Sequence, residues 1–311
     1  MSSSVATSAS SSASSPPSPK PDAAVAGTDD LICSHFTLTG APATERARFG
    51  FAERVAAAAD AGFRGIGLLG ADHHLANREG LDDVTMAMIL ADHDLAIAEV
   101  EFLMEWSAGP DEPERQAVAR MLEDQVWATA DAFGPRVVSV GELVGPEQLP
   151  PFDLVVERFG GLCDRAAAHG LLVALEFTPW SGIPDIATAA AIVQAVDRPN
   201  AGINLDSWHW FRGAPNAEVL RAVADRIFML QIDDADQAVV GTLYEDTTLR
   251  RRYPGEGSFD LAGLLLLCRD AGVDAPVSVE IMSTEHQALP VAEAARRAYT
   301  STRRVLDRAW H

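Results

Sequence analysis

The chain has 311 residues, 48% of them hydrophobic and 22% charged, with a formal net charge of −21. That length holds one large domain or two average ones, and the composition is ample for a buried core. The acidity excludes a general nucleic-acid binder, which needs a basic footprint to displace counterions, and it disfavours docking on anionic lipid.

Residues 1–28 are rich in Ser, Ala and Pro, and they lack the charged start and apolar run of a secretory signal. They read as a disordered tail ahead of a single domain, residues 29–311. From Leu31 onward, short apolar runs alternate with helical patterns. Leu31–Phe36 reads as the first strand, and Thr44–Ala61 as a helix with Phe51, Val55 and Ala58 at helical spacing, stopped by Gly62. Arg64–Leu69 is the second strand and Asp82–Asp94 a helix; Ala96–Leu103 is the third strand, followed by a long helix over Glu112–Phe133. Arg136–Val140 is the fourth strand, with a helix over Phe152–His169, and Leu171–Glu176 the fifth, with a helix over Asp185–Val196. Ala201–Asp206 is the sixth, then a short helix over Asn216–Ala224, and Ile227–Asp233 is the seventh. A helix over Asp260–Ala271, an eighth strand at Pro276–Ile281 and a closing helix over Pro290–Arg308 complete the chain.

Strand–helix alternation at roughly 30-residue spacing describes an α/β fold of the (β/α)₈ TIM-barrel type. An open doubly wound sheet is the competing arrangement. It usually carries a glycine-rich turn after its first strand, and C-S-H-F-T-L-T-G lacks G-x-G-x-x-G.

In such a barrel the C-terminal strand ends share one mouth, and polar residues there read as functional. The fifth strand ends in Glu176, the sixth in Asp206, the seventh carries Gln231 and Asp233, and the eighth Glu280. Carboxylates and an amide oxygen are hard donors, suited to Mn²⁺, Mg²⁺ or Co²⁺ more than to a thiolate-bound metal. Each of these residues could instead cap the helix that follows. Asp206 starts D-S-W-H-W-F-R, where His209, Trp208, Trp210 and Arg212 surround it.

At this point the chain resembles the xylose-isomerase-like TIM barrels, grouped as sugar phosphate isomerases/epimerases. The resemblance is carried by L-E-F-T-P-W-S-G-I (Leu175–Ile183), N-L-D-S-W-H-W-F-R (Asn204–Arg212), L-Q-I-D-D (Leu230–Asp234), R-Y-P-G-E-G-S-F-D (Arg252–Asp260) and V-S-V-E-I (Val277–Ile281). It implies that Glu176, Asp206, Gln231 and Glu280 hold one divalent metal, Mn²⁺ or Mg²⁺, with Co²⁺ or Zn²⁺ as substitutes. It also implies that His209 and Arg251 contact substrate oxygens. The sugar epimerases place a histidine where this chain has Gln231; glutamine there also appears in 3-dehydroshikimate dehydratase-like relatives.

A metal that binds a carbonyl and its adjacent hydroxyl polarises the carbonyl and stabilises an enediolate. Glu176 and Glu280 would then be the catalytic pair, one taking the α-proton and the other returning it, for isomerisation or epimerisation of a keto-sugar or related polyhydroxy carbonyl compound. Departure of a β-hydroxyl from the same enolate would give dehydration, as in an inosose or 3-dehydroshikimate dehydratase. A non-catalytic binding barrel is the alternative of another class. Endonuclease IV shares the barrel, but its histidine-rich trinuclear zinc site has no counterpart in this sequence.

Other residues offer substrate contacts. His35 after the first strand and His74 after the second, beside His73, either reach the mouth or pack. Glu142 after the fourth strand is read as a substrate or supporting residue, and Trp180 as an apolar wall for a ring-shaped substrate. Glu101 points into or out of the barrel by the strand's period of two, and Glu105 and Trp106 lie just beyond it. Pro254–Gly257 is a turn, and the acidic run Asp233–Asp236 is expected to be solvated apart from Asp233. The long loop from Asp234 to Tyr253 is where substrate choice or a subunit contact is expected.

Cys33, Cys163 and Cys268 lie far apart without C-x-x-C pairing, so each reads as a buried apolar residue in a reducing, cytoplasmic setting. No apolar run approaches the length of about 18 residues that a membrane span needs. The expected partner is a small molecule, with no nucleic acid and no membrane; self-association stays open.

Overall fold

The computed structural model describes residues 30–310, so the tail expected over residues 1–28 lies outside the described residues. Eight parallel strands close into a barrel in sequence order: β1 Leu31–Cys33, β2 Gly65–Leu69, β3 Ala96–Leu103, β4 Val137–Gly141, β5 Leu172–Glu176, β6 Ala201–Asp206, β7 Ile227–Ile232 and β8 Val277–Val279. β1 closes the ring against β8, with Ile32 opposite Ser278. β4, β6 and β7 are buried along their whole length, which is why they read as continuous apolar runs rather than alternating ones.

Helices wrap the outside. Phe51–Ala61 presents Phe51, Val55 and Ala58 to the core and ends at Gly62, whose φ of 108° admits a side chain poorly. Pro113–Phe133, Phe152–Ala168, Ile186–Val196, Leu261–Ala271 and Val291–Trp310 complete most of the outer layer. Asp185 caps one of these by accepting from the Thr188 N–H, and Asp260 caps another through Gly263.

Several boundaries differ from the sequence expectation. The first strand stops at Cys33, and His35–Leu38 is already a helical turn. Residues 44–50 are not helical; the helix starts at Phe51 after Gly50. A helix over Gly70–Arg78 was not anticipated, because G-A-D-H-H-L-A-N-R has no apolar stripe of helical period. Helices at Ser207–Arg212, Leu243–Leu249 and Thr284–Gln287 are too short to show a helical period, although Thr242 and Glu245 form a full capping box at the second.

The barrel interior is layered. Ile32, Ala98, Val137, Ala174, Phe228 and Met229 form a small apolar cluster of their own, distinct from the large one between strands and helices. Moving two residues toward the C-terminal ends, the same strand faces present Ser139, Glu176, Asn204, Gln231 and Ser278, and two further on Asp206, Asp233 and Glu280. An apolar plug therefore underlies a polar layer and then an acidic one.

Candidate active site

The acidic layer converges on one buried cation. Arg251 follows the helix Leu243–Leu249 and is 1% exposed. Its Nη1 donates to Asp206 Oδ2 at 2.8 Å, lies 3.0 Å from Glu280 Oε2, and also donates to Asp233 Oδ2. Nε and Nη2 are tied to the Thr247 hydroxyl at 3.1 and 2.8 Å. Burial opposes the charge on this guanidinium, but Asp206, Asp233 and Glu280 outweigh it and hold the group more firmly protonated than an ordinary arginine.

The carboxyls respond unequally. Burial alone would raise Asp206, but Arg251 and His209 hold it below the usual carboxylate range. Asp233 moves well above that range, because burial outweighs Arg251 and Asp206 repels its charge. Burial likewise pushes Glu280 up to about 8 against the pull of Arg251. One guanidinium cannot keep three desolvated carboxylates ionised, and Asp206 wins because it also caps Ser207–Arg212 by accepting the His209 N–H at 2.9 Å.

Next to this centre, His209 Nε2 lies 3.2 Å from Glu176 Oε1, and His209 Nδ1 is buried with no partner. Glu176, Asp206 and His209 each offer a ligand atom within 4.8 Å of the others. Gln231 sits opposite Asp206 in the β6–β7 register, and its Oε1 accepts from Asn204 Nδ2 at 2.6 Å. Ser34 Oγ stands 3.0 Å from both Glu280 Oε1 and Glu101 Oε2, while Glu101 Oε1 accepts the His35 N–H at 2.9 Å. Room for Glu101 comes from Gly67, where a Cβ would lie 1.9 Å from Glu101 Oε1. Below them Glu99, pushed up to about 7 by burial, accepts from the Ser278 hydroxyl at 2.6 Å.

These donors fit a divalent cation. The set is oxygen-rich with one imidazole: Asp206, Asp233 and Glu280 face a single guanidinium, and Glu176 stands against His209. The unpartnered His209 Nδ1 marks a buried ring nitrogen still free to bind. His209, expected as a substrate contact, thus stands within ligand reach of Glu176 and Asp206.

A cavity of about 320 Å³ opens on the site. Glu176, Gln231, Glu280, His209, Arg251 and Trp180 line it, so the structure brings these expected residues together, with Asp206 fully buried behind Arg251. Tyr244, Thr247 and Thr248 of the long loop line it as well.

Other expected substrate contacts lie elsewhere. His35 packs inward, with Arg54 Nη1 3.2 Å from its Nδ1; burial and Arg54 lower its pKa to about 3, so it is a neutral packing group. His74 lines a separate groove between Gly70–Arg78 and Pro113–Phe133, because the unanticipated helix turns it away from the mouth. His73 is buried there against Thr129 and Asp83. Glu142 does not line the cavity; it accepts the Ser107 N–H at 3.1 Å beside Arg115. Glu105 pairs with Arg115, and Trp106 donates to the Gly141 carbonyl.

Asp234 corrects the expectation of a solvated run. It is 1% exposed and accepts N–H groups from Ala235, Gly255, Gly257 and Phe259, so it moulds the Pro254–Gly257 turn; Asp236 is exposed on Arg252. Ser34 and Thr247 were not anticipated, and only the barrel closure brings Ser34 to Glu280.

Comparison with known proteins adds sequence relatives to this geometry. A family model described as xylose isomerase-like TIM barrel matches residues 55–304. Inosose isomerase of Bacillus subtilis is 34% identical over 144 residues, 45% of this chain and 51% of that protein, so the match spans about half of the relative's length. A 3-dehydroshikimate dehydratase of Pseudomonas aeruginosa is 30% identical over 185 residues, 57% of this chain and 28% of that protein. Among solved structures, the IOLI protein with a bound zinc atom superposes with a TM-score of 0.77 at 22% identity, over 90% of this chain and 99% of the other; at that identity the likeness concerns the fold.

Proposed function

Because the chain belongs to the xylose isomerase-like TIM-barrel family, we propose that it is a divalent-metal-dependent isomerase or epimerase of a keto-sugar or related polyhydroxy carbonyl compound. The observation that carries the reading is the pair of cavity-lining carboxyls, Glu176 at the end of β5 and Glu280 just beyond β8, gathered with Asp206 and His209 at one mouth. Relatives that include an inosose isomerase support an enzyme of this kind.

Glu176, Asp206, Gln231 and Glu280, with His209 beside them, would hold the ion. When bound, the ion supplies Lewis acidity that polarises a carbonyl oxygen. The chain's own groups do the rest. One of Glu176 and Glu280 takes the proton from the carbon beside the carbonyl, and the other returns a proton to the neighbouring carbon or the opposite face. Such positioned transfer is worth about 10²–10⁴-fold. Arg251 fixes Asp206 and Glu280, His209 orients Glu176, and Trp180 walls the mouth. A cytoplasmic location is part of the proposal; among the described residues no helix is long and apolar enough to cross a membrane.

Dehydration is the second reading, supported by the 3-dehydroshikimate dehydratase relatives. Incubation of the Mn²⁺-loaded protein with inososes, keto-sugars and 3-dehydroshikimate in D₂O separates the two. Deuterium at the α-carbon without loss of water marks epimerisation, whereas dehydration is marked by a growing enone or enol absorbance from the inososes and keto-sugars, or by an aromatic absorbance from 3-dehydroshikimate. Both signals should fall about 10²–10⁴-fold in Glu176→Gln and Glu280→Gln. Full activity in both variants, or no reaction with any added metal, would refute the proposal.

A further inference from the structure

The cavity wall is divided by strand order. The elements from β5 to β8 present Glu176, His209, Gln231, Arg251 and Glu280. The ends of β2 and β3 and the segments that follow β1, β3 and β4 present Phe36, Leu69, Phe102, Met104, Leu122 and Leu143. Polar groups on this second side are few: the Glu101 carboxyl, held by the His35 N–H with the Ser34 hydroxyl 3.0 Å away, and the Ser139 hydroxyl, 3.5 Å from Asn204 Nδ2. Thr44 is at the exposed rim.

The only Lys or Arg side chain among the described lining residues is Arg251, and all three of its nitrogens are committed to Asp206, Asp233, Glu280 and Thr247. A carboxylate or phosphate at the far end of a bound molecule would therefore meet apolar side chains and no free cation. A ring hydroxylated all round would also place hydroxyls against Phe102 and Leu143 with nothing to bond. Each hydroxyl desolvated in this way weakens binding about ten- to a hundredfold.

Resting on the function proposed above, we infer that the substrate is a neutral, single-ring hydroxyketone with one apolar edge. Its ketone and adjacent hydroxyl face Glu176, His209 and Glu280, and its unhydroxylated edge lies on the wall at the β1 to β4 side. A cavity of about 320 Å³ suits one ring, being at the small end of ligand pockets.

Three probes against the full-length protein loaded with Mn²⁺ test this: 2-hydroxycyclohexanone, scyllo-inosose and 3-dehydroshikimate. Dissociation constants come from calorimetry, and turnover from α-deuterium exchange. We expect 2-hydroxycyclohexanone to bind at least tenfold more tightly than the inosose, with the anionic ring weakest. Leu143→Asn should shrink the first ratio several-fold, and Met104→Gln serves the same purpose if that variant does not fold. Binding of the inosose or of 3-dehydroshikimate as tight as or tighter than the neutral probe overturns the inference, as does failure of all three to bind. The expected order of affinities without exchange in any probe sustains the substrate class while overturning the isomerase reading; exchange with the inosose preferred does the reverse.

Discussion

Replacing Arg251 by Met removes the one cation from Asp206, Asp233 and Glu280 while keeping most of the side chain's volume. All four residues are buried, with Arg251 and both aspartates essentially free of solvent. Removing one partner of such a group leaves uncompensated charge inside and costs about 3–5 kcal/mol. For a domain of this size that lowers the thermal midpoint by on the order of 10 °C. Part of the loss is recovered by protonation, since burial already raises Asp233 and Glu280, so the deficit should grow as pH rises above about 8. The assay is thermal unfolding of Arg251→Met and wild type, each in chelator and in millimolar Mn²⁺. If the freed carboxylates form part of a cation site, Mn²⁺ stabilises the variant by about 2.7 kcal/mol at a hundred times its dissociation constant, and the wild type, whose carboxylates are already paired, by less. Arg251→Lys keeps the charge but loses the bonds to Thr247, and should fall between. A midpoint for Arg251→Met within about 2 °C of wild type in chelator would show that the guanidinium is not the countercharge described here.

Three other perturbations follow from particular contacts. Asp234→Ala leaves the N–H groups of Ala235, Gly255, Gly257 and Phe259 without their acceptor, at a cost of about 3 kcal/mol or more in urea unfolding; Asp234→Asn should restore part of it, and no loss in either variant would remove the role given to this residue. Gly67→Ala drives a methyl into Glu101 Oε1 and to 2.8 Å from the His35 nitrogen, so it should destabilise by about 1–3 kcal/mol and reduce turnover, whereas Glu101→Ala in the same background should recover only the part due to the carboxyl, since the His35 backbone contact remains. His286 is held neutral, its pKa lowered to about 4 mainly by burial and further by Arg297, against the Thr37 carbonyl. The unfolded chain takes up this proton near pH 6.5 and the native protein only near 4, so stability is lost as pH falls between those values, by about 3 kcal/mol. Raised carboxyls such as Glu99 and Glu280 give the opposite slope over pH 8 to 4.5, so the check is the difference between wild type and His286→Gln, which must shrink on acidification.

The barrel was legible because its strands are short, apolar and regularly spaced, and Val137–Gly141 and Ile227–Ile232 are buried on both faces. The strand-end residues Glu176, Gln231 and Glu280 followed from the same logic, since closure leaves those ends nowhere to go but the mouth. Three consecutive arginines, Arg250 to Arg252, precede the Pro254–Gly257 turn, and the fold separates them: Arg250 is exposed, Arg252 pairs with Asp236 and Glu285, and Arg251 alone enters the acidic layer. What stayed hidden depended on contacts distant in sequence. His35 is turned to Arg54 by a helical turn that begins at His35, inside the expected strand Leu31–Phe36, and Asp234 looked solvated because its donors arrive from residues 255–259. Asp233 was partly readable: it lies two residues beyond Gln231, and period two points both side chains inward.

The layering of the interior bears on why so many acids are tolerated there. A guanidinium ringed by carboxyls is seldom the most stable way to fill a barrel, and well-packed apolar residues would serve stability as well or better. The plug of Ile32, Val137, Phe228 and Met229 shows that this same barrel packs apolar residues where nothing else is required. Above it the faces of β5 to β8 carry Glu176, Asp206, Asp233 and Glu280, whereas β3 adds Glu99 and Glu101 and the rest of that wall returns to residues such as Phe102 and Leu143. Fold stability alone gives no reason for that asymmetry. A site that must hold charge in fixed positions on one side of a small ring, and exclude water from the other, does.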